Sequence, residues 1–250
     1  MTTAVVWGIV PAGGSGSRIA KPDNEKGEMS VGSKLPKQFI RVGGVPILVK
    51  TLQTLFKADV LSGITVPVKE EYIGLARELI IEFGLTDRKI IFVSGGATRQ
   101  ESVFNGLNSI KGMGETANGG VGGGIGIDIV LIHDAARPMV DPAIVKKSVE
   151  EAQKHGAAVV GIPATDSSAL AEDQFVESYI PREKLFSIQT PQVFRYDLIM
   201  EGHQSALLDG ICDSTDDARL IMRMGKKVKI VPGSPDNIKV TFRGDFDKIR

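Results

Sequence analysis

The sequence predicts an α/β fold with a mostly parallel sheet and helices on both of its faces. Short apolar segments rich in valine and isoleucine alternate along the chain with segments whose apolar residues recur at helical spacing. Several of the apolar segments also run into glycines or a polar cluster, which is where ligands of parallel sheets bind. The alternation predicts the fold, and the polar strand ends predict a binding site on it.

The predicted strands begin with Ala4–Val10, a run of valine, isoleucine and tryptophan that glycines follow. Such a run is typical of a strand buried on both faces of a parallel sheet. The remaining strand predictions rest on the same short, β-branched pattern. In chain order they are SGITVPV, RKIIFVSGG, IDIVLIHDAARP, AAVVGIPA and KKVKIVPGS.

The predicted helices lie between these strands and carry apolar residues on one side. Gly84 and Gly156 follow two of them directly, and glycine is the residue that most often ends a helix. In chain order the helices are PILVKTLQTLFKA, EEYIGLARELIIEFG, RQESVFNGLNSI and PAIVKKSVEEAQKHG.

Three segments depart from the alternation. The polar run Ile19–Leu35 and the glycine-rich run Lys111–Gly126 have too few apolar side chains to offset the entropy of ordering them, so we predict mobile loops. From Ser167 to Leu185, polar and apolar residues alternate loosely. This pattern predicts a hairpin that leaves the main sheet.

The composition excludes several classes of protein. The chain has 250 residues, enough for one domain with a sizeable core or for two small ones, and its 30 basic residues balance 30 acidic ones. A neutral balance gives no support to nucleic acid or a membrane as partner. Cys212 is the single cysteine, which excludes an internal disulfide and fits a reducing compartment. With no segment long enough to span a bilayer, the expectation is a cytoplasmic protein.

The first motif is the glycine loop GGSGSR, which follows the first strand. Gly14 and Gly16 would let backbone N–H groups approach a phosphate closely, because glycine has no Cβ. The loop is neither a dinucleotide fingerprint, since Ile19 replaces the third glycine, nor a P-loop, since G-K-[ST] is absent. A tight turn without a ligand is therefore the alternative. Arg18 favours an anion, because a guanidinium suits phosphate oxygens.

The second and third motifs are LPKQ and HDAARP. Lys37 in LPKQ could be an ordinary surface lysine. Asp134 in HDAARP follows a strand, and a carboxylate there beside a phosphate loop commonly holds a divalent metal. Alternatively Asp134 caps the segment at Pro138 or pairs with Arg137. The three histidines do not have zinc-binding spacing.

These motifs belong to a set of segments that follow one another along nearly the whole chain: PAGGSGSR, LPKQF, GGATRQESVFNGL, HDAARP, IPATD, QTPQVF, STDDARL and GSPDNIKVT. Their identity and order resemble those of the 2-C-methyl-D-erythritol 4-phosphate cytidylyltransferases of the non-mevalonate isoprenoid pathway. The resemblance implies a Rossmann-like nucleotidyltransferase sheet with a protruding β-arm for dimerisation, and cytidylyl transfer from CTP to a sugar-alcohol phosphate.

The resemblance also implies how the nucleotide is held. Arg18 and Lys37 would converge on the α-phosphate and stabilise its charge, although this chain separates them by a longer loop than the family usually has. Asp134 would hold Mg²⁺ and help to hold the substrate. The residues expected to line the triphosphate and the base pocket are Ala12, Gly13, Gly14 and Gly16, and those expected at cytosine and ribose are Gly96, Ala97 and Ser102.

For the second substrate, the resemblance implies contacts from both subunits of a homodimer. The alcohol phosphate would meet Arg137, Ser167, Thr215 and Lys239. Arg182 and Thr190 would come from the arm of a partner subunit. The expected organisation is one nucleotidyltransferase domain over residues 1–250, with residues 167–185 as the dimerisation arm.

One motif departs from the family and keeps alternatives open. The erythritol-phosphate enzymes usually read D-T-x-K after IPA, whereas this chain has Ser167 in place of the threonine and Ala169 in place of the lysine. The related ribitol-5-phosphate cytidylyltransferases also lack the lysine, so that substrate is one alternative. A non-catalytic nucleotide-binding homologue is another. The retained residues argue against it: Arg18, Lys37, Asp134, Arg182 and Lys239.

Overall fold

The computed structural model describes residues 4–13, 35–113 and 126–249, and strands and helices alternate within them as predicted. The first half contains β1 (Val6–Ile9), β2 (Arg41–Val42), β3 (Val45–Pro46), α1 (Ile47–Lys57), β4 (Gly63–Val68), α2 (Ile73–Glu82), β5 (Ile90–Ser94) and α3 (Arg99–Ser109). The second half contains β6 (Ile129–Ile132), α4 (Pro142–His155), β7 (Ala157–Pro163), β8 (Ser168–Glu172), β9 (Phe175–Ile180), β10 (Phe186–Arg195), α5 (Tyr196–Leu208), α6 (Asp217–Arg223) and β11 (Lys229–Pro232).

The central sheet has seven strands in the order β11-β7-β10-β6-β1-β4-β5. β1 pairs in parallel with β4 and β6, β4 pairs in parallel with β5, and β11 pairs in parallel with β7. β10 runs antiparallel to both of its neighbours, β6 and β7. The predicted mostly parallel α/β fold is therefore confirmed, with one antiparallel strand inside the sheet.

Helices cover both faces because successive side chains of each strand point to opposite sides. In β1 and the residue that follows it, Val6 and Val10 pack into one core cluster, while Trp7 and Ile9 pack into the other. The first cluster also contains buried residues of α1, α2 and α4, and the second contains those of α3, α5 and α6. The strands β1, β4 and β6 are thus buried on both sides, as their apolar sequences predict.

The predicted helix ends are confirmed. Gly156 follows α4 in the left-handed region, with φ 84°, and Gly84 follows the last turn of α2 with φ 64°. The helix predicted from Glu70 begins later, because residues Glu70–Tyr72 form a 3-10 turn before α2.

Several elements were not predicted from the sequence: β2, β3, β10, α5 and α6. β10 is the most important of them, because it lies between β7 and β6. Its pairing with β7 shifts between Ile188 and Gln192, and its centre is polar. A strand whose alternation is interrupted in this way does not give the sequence pattern of a buried strand.

The predicted hairpin is formed by β8 and β9, which pair antiparallel in a sheet of their own. Its apolar side chains are exposed; Phe175, for example, is 79% exposed and Tyr179 is 72% exposed. Most of the two predicted mobile loops lies outside the described residues. No helix in the described part of the chain has the length and apolar character needed to cross a bilayer.

Candidate active site

A cleft of about 740 Å³ opens at the carboxyl ends of the parallel strands. Its walls are the residues that follow β1, β4, β5 and β6, together with the segment before α6 and the one after β11. Parallel strands that end at one edge of a sheet bring their following loops together there. The coincidence of polar strand ends in the sequence thus corresponds to a single cleft.

Most of the residues predicted for the nucleotide and for catalysis line this cleft, and two of the predicted substrate residues do as well. Gly14, Gly16 and Arg18 lie outside the described residues. The predicted residues on the cleft wall are Ala12, Gly13, Lys37, Gly96, Ala97, Ser102, Asp134, Thr215 and Lys239.

The loop between β5 and α3 is held by its own side chains. The Ser102 hydroxyl donates to the Thr98 carbonyl at 2.9 Å and accepts from the Gly96 N–H at 3.0 Å. Glu101 accepts from the Ala97 N–H at 2.7 Å, and a Cβ on Gly96 would collide with the Glu101 side chain. Ser102 therefore shapes the loop, since its hydroxyl is already used in holding the backbone.

Lys37 lies in the 3-10 turn Lys37–Phe39, after Pro36. Its ammonium donates to the carbonyl of Val240 at 2.8 Å, and Gln38 donates to the carbonyl of Ala12. The turn is thus bonded both to the residues after β1 and to the segment that carries Lys239. These contacts direct Lys37 into the cleft instead of leaving it as a surface lysine.

Asp134 follows β6 and is surrounded by cations. Its Oδ2 lies 2.9 Å from the Lys239 ammonium and 3.3 Å from Nε of Arg137, while its Oδ1 lies 3.7 Å from Nε of Arg99. Burial by itself would raise the pKa of Asp134, but the three cations outweigh it and hold the pKa well below its usual range. Asp134 is therefore a carboxylate at any physiological pH.

A smaller cleft of about 90 Å³ adjoins the first and shares Arg99, Asp134, Thr215 and Lys239 with it. Arg137 and Thr190 lie on its wall. Four of the residues predicted for the alcohol phosphate therefore meet here: Arg137, Thr190, Thr215 and Lys239.

The prediction that Thr190 comes from the arm is wrong. Thr190 lies in β10 of the main sheet and is buried beside Asp134 of its own chain. Its hydroxyl accepts from the Asp134 N–H at 3.0 Å and contacts Nδ1 of His133 at 3.1 Å. The assignment came from the family resemblance, and the polar QTPQ sequence gives no sign of the strand in which Thr190 lies.

His133 completes this chain of hydrogen bonds. Its Nε2 lies 3.0 Å from the carbonyl of Arg137, which can only accept, so Nε2 carries the proton and Nδ1 accepts from Thr190. Burial lowers the pKa of His133 to about 4. A neutral histidine with both nitrogens bonded holds the residues around Asp134 and is not an available base.

The structure does not bring Ser167 and Arg182 to either cleft within one chain. Ser167 precedes β8, Arg182 lies in the 3-10 turn after β9, and both are exposed. A role for them at the site would need a second subunit.

The cleft also contains residues that the sequence reasoning missed. Arg99 was within a quoted motif, GGATRQESVFNGL, and its position at the start of a helix after a strand end could have identified it. Gln38, Thr98, Ser214 and Thr241 also lie within quoted motifs, whereas the remaining missed residues do not: Lys69 and Asp213.

The residues present fit a Mg²⁺ ion that is held by one carboxylate together with substrate phosphates. Within the described ranges no group of three or more His, Cys, Asp or Glu side chains is arranged to hold a metal ion. Mg²⁺ in nucleotide sites is usually held by one or two carboxylates and by substrate phosphates. Asp134 fits that mode, and the ion would compete with Lys239 for its Oδ2.

Comparison with known proteins shows which family the chain belongs to. The family model "IspD: 2-C-methyl-D-erythritol 4-phosphate cytidylyltransferase" matches residues 6–249. The enzyme of that name from Acidobacterium capsulatum is 35% identical over 246 residues, which are 97% of this chain and 94% of that protein. The one from Geotalea uraniireducens is 37% identical over 242 residues, with coverage of 96% and 93%.

Solved structures give the same result for the fold. A crystal structure of 2-C-methyl-D-erythritol 4-phosphate cytidylyltransferase from Thermus thermophilus is 28% identical, with a TM-score of 0.69 and coverage of 98% of this chain and 96% of that one. The 4-diphosphocytidyl-2C-methyl-D-erythritol synthase of Anaerococcus prevotii, at 24% identity, has the same fold, with a TM-score of 0.77 and coverage of 98% and 94%. The chain belongs to the 2-C-methyl-D-erythritol 4-phosphate cytidylyltransferase family.

Proposed function

We propose that this chain transfers the cytidylyl group of CTP to 2-C-methyl-D-erythritol 4-phosphate, giving 4-diphosphocytidyl-2-C-methyl-D-erythritol and pyrophosphate. The observation that carries the proposal is the convergence of the predicted nucleotide residues and of Asp134 and Lys239 on one cleft, in a chain of this family.

The nucleotide is proposed to bind along the wall formed by the β1 and β5 ends. The small residues Ala12 and Gly13 leave room there, and the cytosine and ribose would contact Gly96 and Ala97. Gly14, Gly16 and Arg18 are proposed to surround the triphosphate. Ser102 would act through the loop it holds, because its hydroxyl bonds Gly96 and Thr98.

The alcohol phosphate is proposed to bind in the smaller cleft, where Arg137 and Lys239 supply positive charge. Thr215 is shared by both clefts, so it would lie between the two substrates. The Arg137 guanidinium also donates to the Asn237 carbonyl at 2.6 Å, which fixes its orientation before a substrate arrives. A preorganised cation binds an anion with little further cost of ordering.

The reaction needs no strong general base, because the attacking phosphate oxygen is already an anion. It would attack the α-phosphorus of CTP in line, forming the new P–O bond as the bond to pyrophosphate breaks. Lys37 and Arg18 would stabilise the charge that builds on the α-phosphate, and the cleft would hold the two phosphates in line. When bound, Mg²⁺ would neutralise charge on the triphosphate, with Asp134 as its protein ligand.

The assembly proposed is a homodimer of single-domain chains, residues 1–250, that contact each other through the arm at residues 167–185. Support comes from the exposed apolar side chains of the arm, since an isolated two-stranded hairpin is marginally stable in water. Arg182, and Ser167 near it, would then reach the partner's substrate.

The proposed setting is the cytoplasm, with CTP, the alcohol phosphate and a second copy of the chain as partners. The balanced charge does not suit a nucleic-acid partner. The lone cysteine does not suit an oxidising compartment, which supports the cytoplasm as the setting.

The experiment is an assay of pyrophosphate release with CTP and Mg²⁺ and either of two acceptors. We expect 2-C-methyl-D-erythritol 4-phosphate to react with the higher kcat/KM. Ribitol 5-phosphate is the second candidate, because Ala169 stands where the family's lysine is expected. Asp134→Asn should abolish turnover, and Asp87→Asn, which changes an exposed aspartate, should not. Release with neither acceptor, or only with ribitol 5-phosphate, would refute the proposal.

A further inference from the structure

The segment at residues 211–217, which carries Thr215, is attached to the start of α3. The Thr98 hydroxyl donates to the Cys212 carbonyl at 2.7 Å. The Gln100 amide donates to the Ile211 carbonyl at 2.7 Å and accepts from the Ser214 N–H at 2.8 Å. The wall of the nucleotide pocket and the segment that carries Thr215 therefore form one bonded unit.

Arg99 lies between Thr98 and Gln100 in sequence, and it connects this bonded unit to Asp134. Its Nη2 is 2.7 Å from Oδ2 of Asp217, and its Nε is 3.7 Å from Oδ1 of Asp134. The two carboxylates belong to different elements, one at the start of α6 and the other after β6. A single planar guanidinium therefore links the start of α6 to the residues that follow β6.

The burial of the Arg99–Asp217 ion pair costs free energy, so a contribution to stability does not explain why the pair is there. The Asp217 side chain is 1% exposed, and Nη1 of Arg99 is buried without a hydrogen-bond partner among the described residues. Buried ion pairs repay their desolvation poorly, and apolar replacements are often as stable or more so. An unsatisfied buried nitrogen adds to the cost. The geometry of Arg99 is therefore better explained by what it holds in place.

The ion pairs also divide the two oxygens of Asp134. Arg99 lies beside Oδ1, whereas Lys239 and Arg137 lie beside Oδ2. With Arg99 absent, the attraction on the carboxylate would come from one side, and the group would turn toward Lys239. The fixed fork of a guanidinium can hold two carboxylates at once, which an ammonium cannot do with the same geometry.

We propose that Arg99 is a positioning residue: it fixes the orientation of the Asp134 carboxylate and holds the segment at residues 211–217, so that Asp134 and Thr215 face the same reacting phosphates. The inference rests on the proposed function for its kinetic consequence. Its structural consequence, the hold on residues 211–217, is independent of that function.

The test uses two variants of the full chain. Arg99→Met alone would leave the buried Asp217 with less compensation and could unfold the protein. The double variant Arg99→Met/Asp217→Asn removes both charges, and Arg99→Lys keeps the positive charge but not the fork. The matched control is Arg223→Met/Asp209→Asn, which removes an exposed arginine–aspartate pair, also at 2.7 Å, that lines neither cleft.

We expect the double variant to keep a thermal midpoint close to that of the wild type, while its kcat falls at least thirtyfold and the Kd for CTP changes less than threefold. Arg99→Lys should lose at least tenfold in kcat. Hydrogen exchange at residues 211–217 should become faster in the double variant, and the control should match the wild type throughout.

A purely structural role predicts a different pattern: kcat would recover wherever the thermal midpoint does. A folded double variant with kcat within threefold of the wild type would overturn the proposal, as would unchanged exchange at residues 211–217. If the wild type released no pyrophosphate, the proposed function would fail, and the exchange measurement would still decide whether Arg99 holds the segment.

Discussion

Lys37 and Val240 are joined by a 2.8 Å hydrogen bond from the lysine ammonium to the valine carbonyl, across 203 positions of sequence. Val240 directly follows Lys239, which pairs with Asp134 at 2.9 Å. One segment of chain therefore fixes two lysines on the same wall of the cleft. This relationship explains how cations that are far apart in sequence can act on one pair of phosphates.

Replacing Lys37 by alanine should lower kcat by about a hundredfold or more, with a smaller effect on KM, because the lysine is proposed to stabilise charge that develops in the transition state. Steady-state pyrophosphate release measures both constants. Lys50→Ala is the matched control, since Lys50 also donates to a carbonyl of the same segment, that of Ile249 at 2.8 Å, but does not line the cleft. Normal turnover by Lys37→Ala would remove Lys37 from the catalytic residues.

His133 should make the protein less stable as the pH falls. Its pKa is about 4 in the folded chain and about 6.5 when unfolded, so between these values the unfolded chain binds more protons and the free energy of unfolding drops. Between pH 7 and pH 5 the loss should be on the order of 2 kcal/mol.

His133→Gln provides the comparison, because glutamine does not titrate. Denaturant unfolding at both pH values should show a smaller loss for the variant than for the wild type. His155 and His203 are present in both proteins, so their contributions cancel. Equal losses would mean that the pKa of His133 is not lowered by folding.

Thr190 should support the site through its hydroxyl, which accepts from the buried Asp134 N–H. Thr190→Val leaves that donor without a partner and should lower the free energy of unfolding by roughly 1–3 kcal/mol. Thr190→Ser keeps the hydroxyl and should be close to the wild type. A valine variant as stable as the serine variant would show that this hydrogen bond contributes little.

The central strands that the sequence predicts are short runs of mostly apolar residues. β1, β4 and β6 are buried at every position, so composition identifies them. β10 is different, because its polar residues are buried to serve distant partners. Gln192, for instance, donates to Asp216 at 2.7 Å and accepts from the Asp217 N–H at 3.1 Å. Those contacts exist only in the folded chain.

The residues of the candidate site also fall into two groups, those that the sequence predicts and those that it does not. Residues in motifs at strand ends, such as Gly96 and Asp134, were predictable because the fold places strand ends together. Arg99 could have been identified by its position at the start of a helix, but its role follows from a contact with Asp217, which is 118 positions away. The family resemblance assigned Thr190 to the arm, and the local polarity of the sequence did not reveal that Thr190 lies in a strand of the main sheet.

The contribution of the arm to a shared site can be tested by mixing inactive variants. Lys37→Ala and Arg182→Ala should each be nearly inactive as homodimers. After subunit exchange, a mixed dimer would contain a site with Lys37 from one chain and Arg182 from the other, and activity should return.

Mixing Lys37→Ala with Asp134→Asn is the matched control. Both residues line the cleft of one chain, so exchange between these variants cannot assemble an intact site. Activity that returns in neither mixture, once exchange has been confirmed, would refute a site that takes Arg182 from the partner subunit.

The central claim, cytidylyl transfer to 2-C-methyl-D-erythritol 4-phosphate, is tested most directly by phosphorus NMR of the completed reaction. The account predicts that CTP, Mg²⁺ and the alcohol phosphate, incubated with the wild-type chain, yield the paired resonances of a new diphosphate linkage together with free pyrophosphate. Asp134→Asn should yield neither. An unchanged alcohol-phosphate signal in the wild-type reaction, at a CTP concentration shown to saturate the protein, would contradict the account.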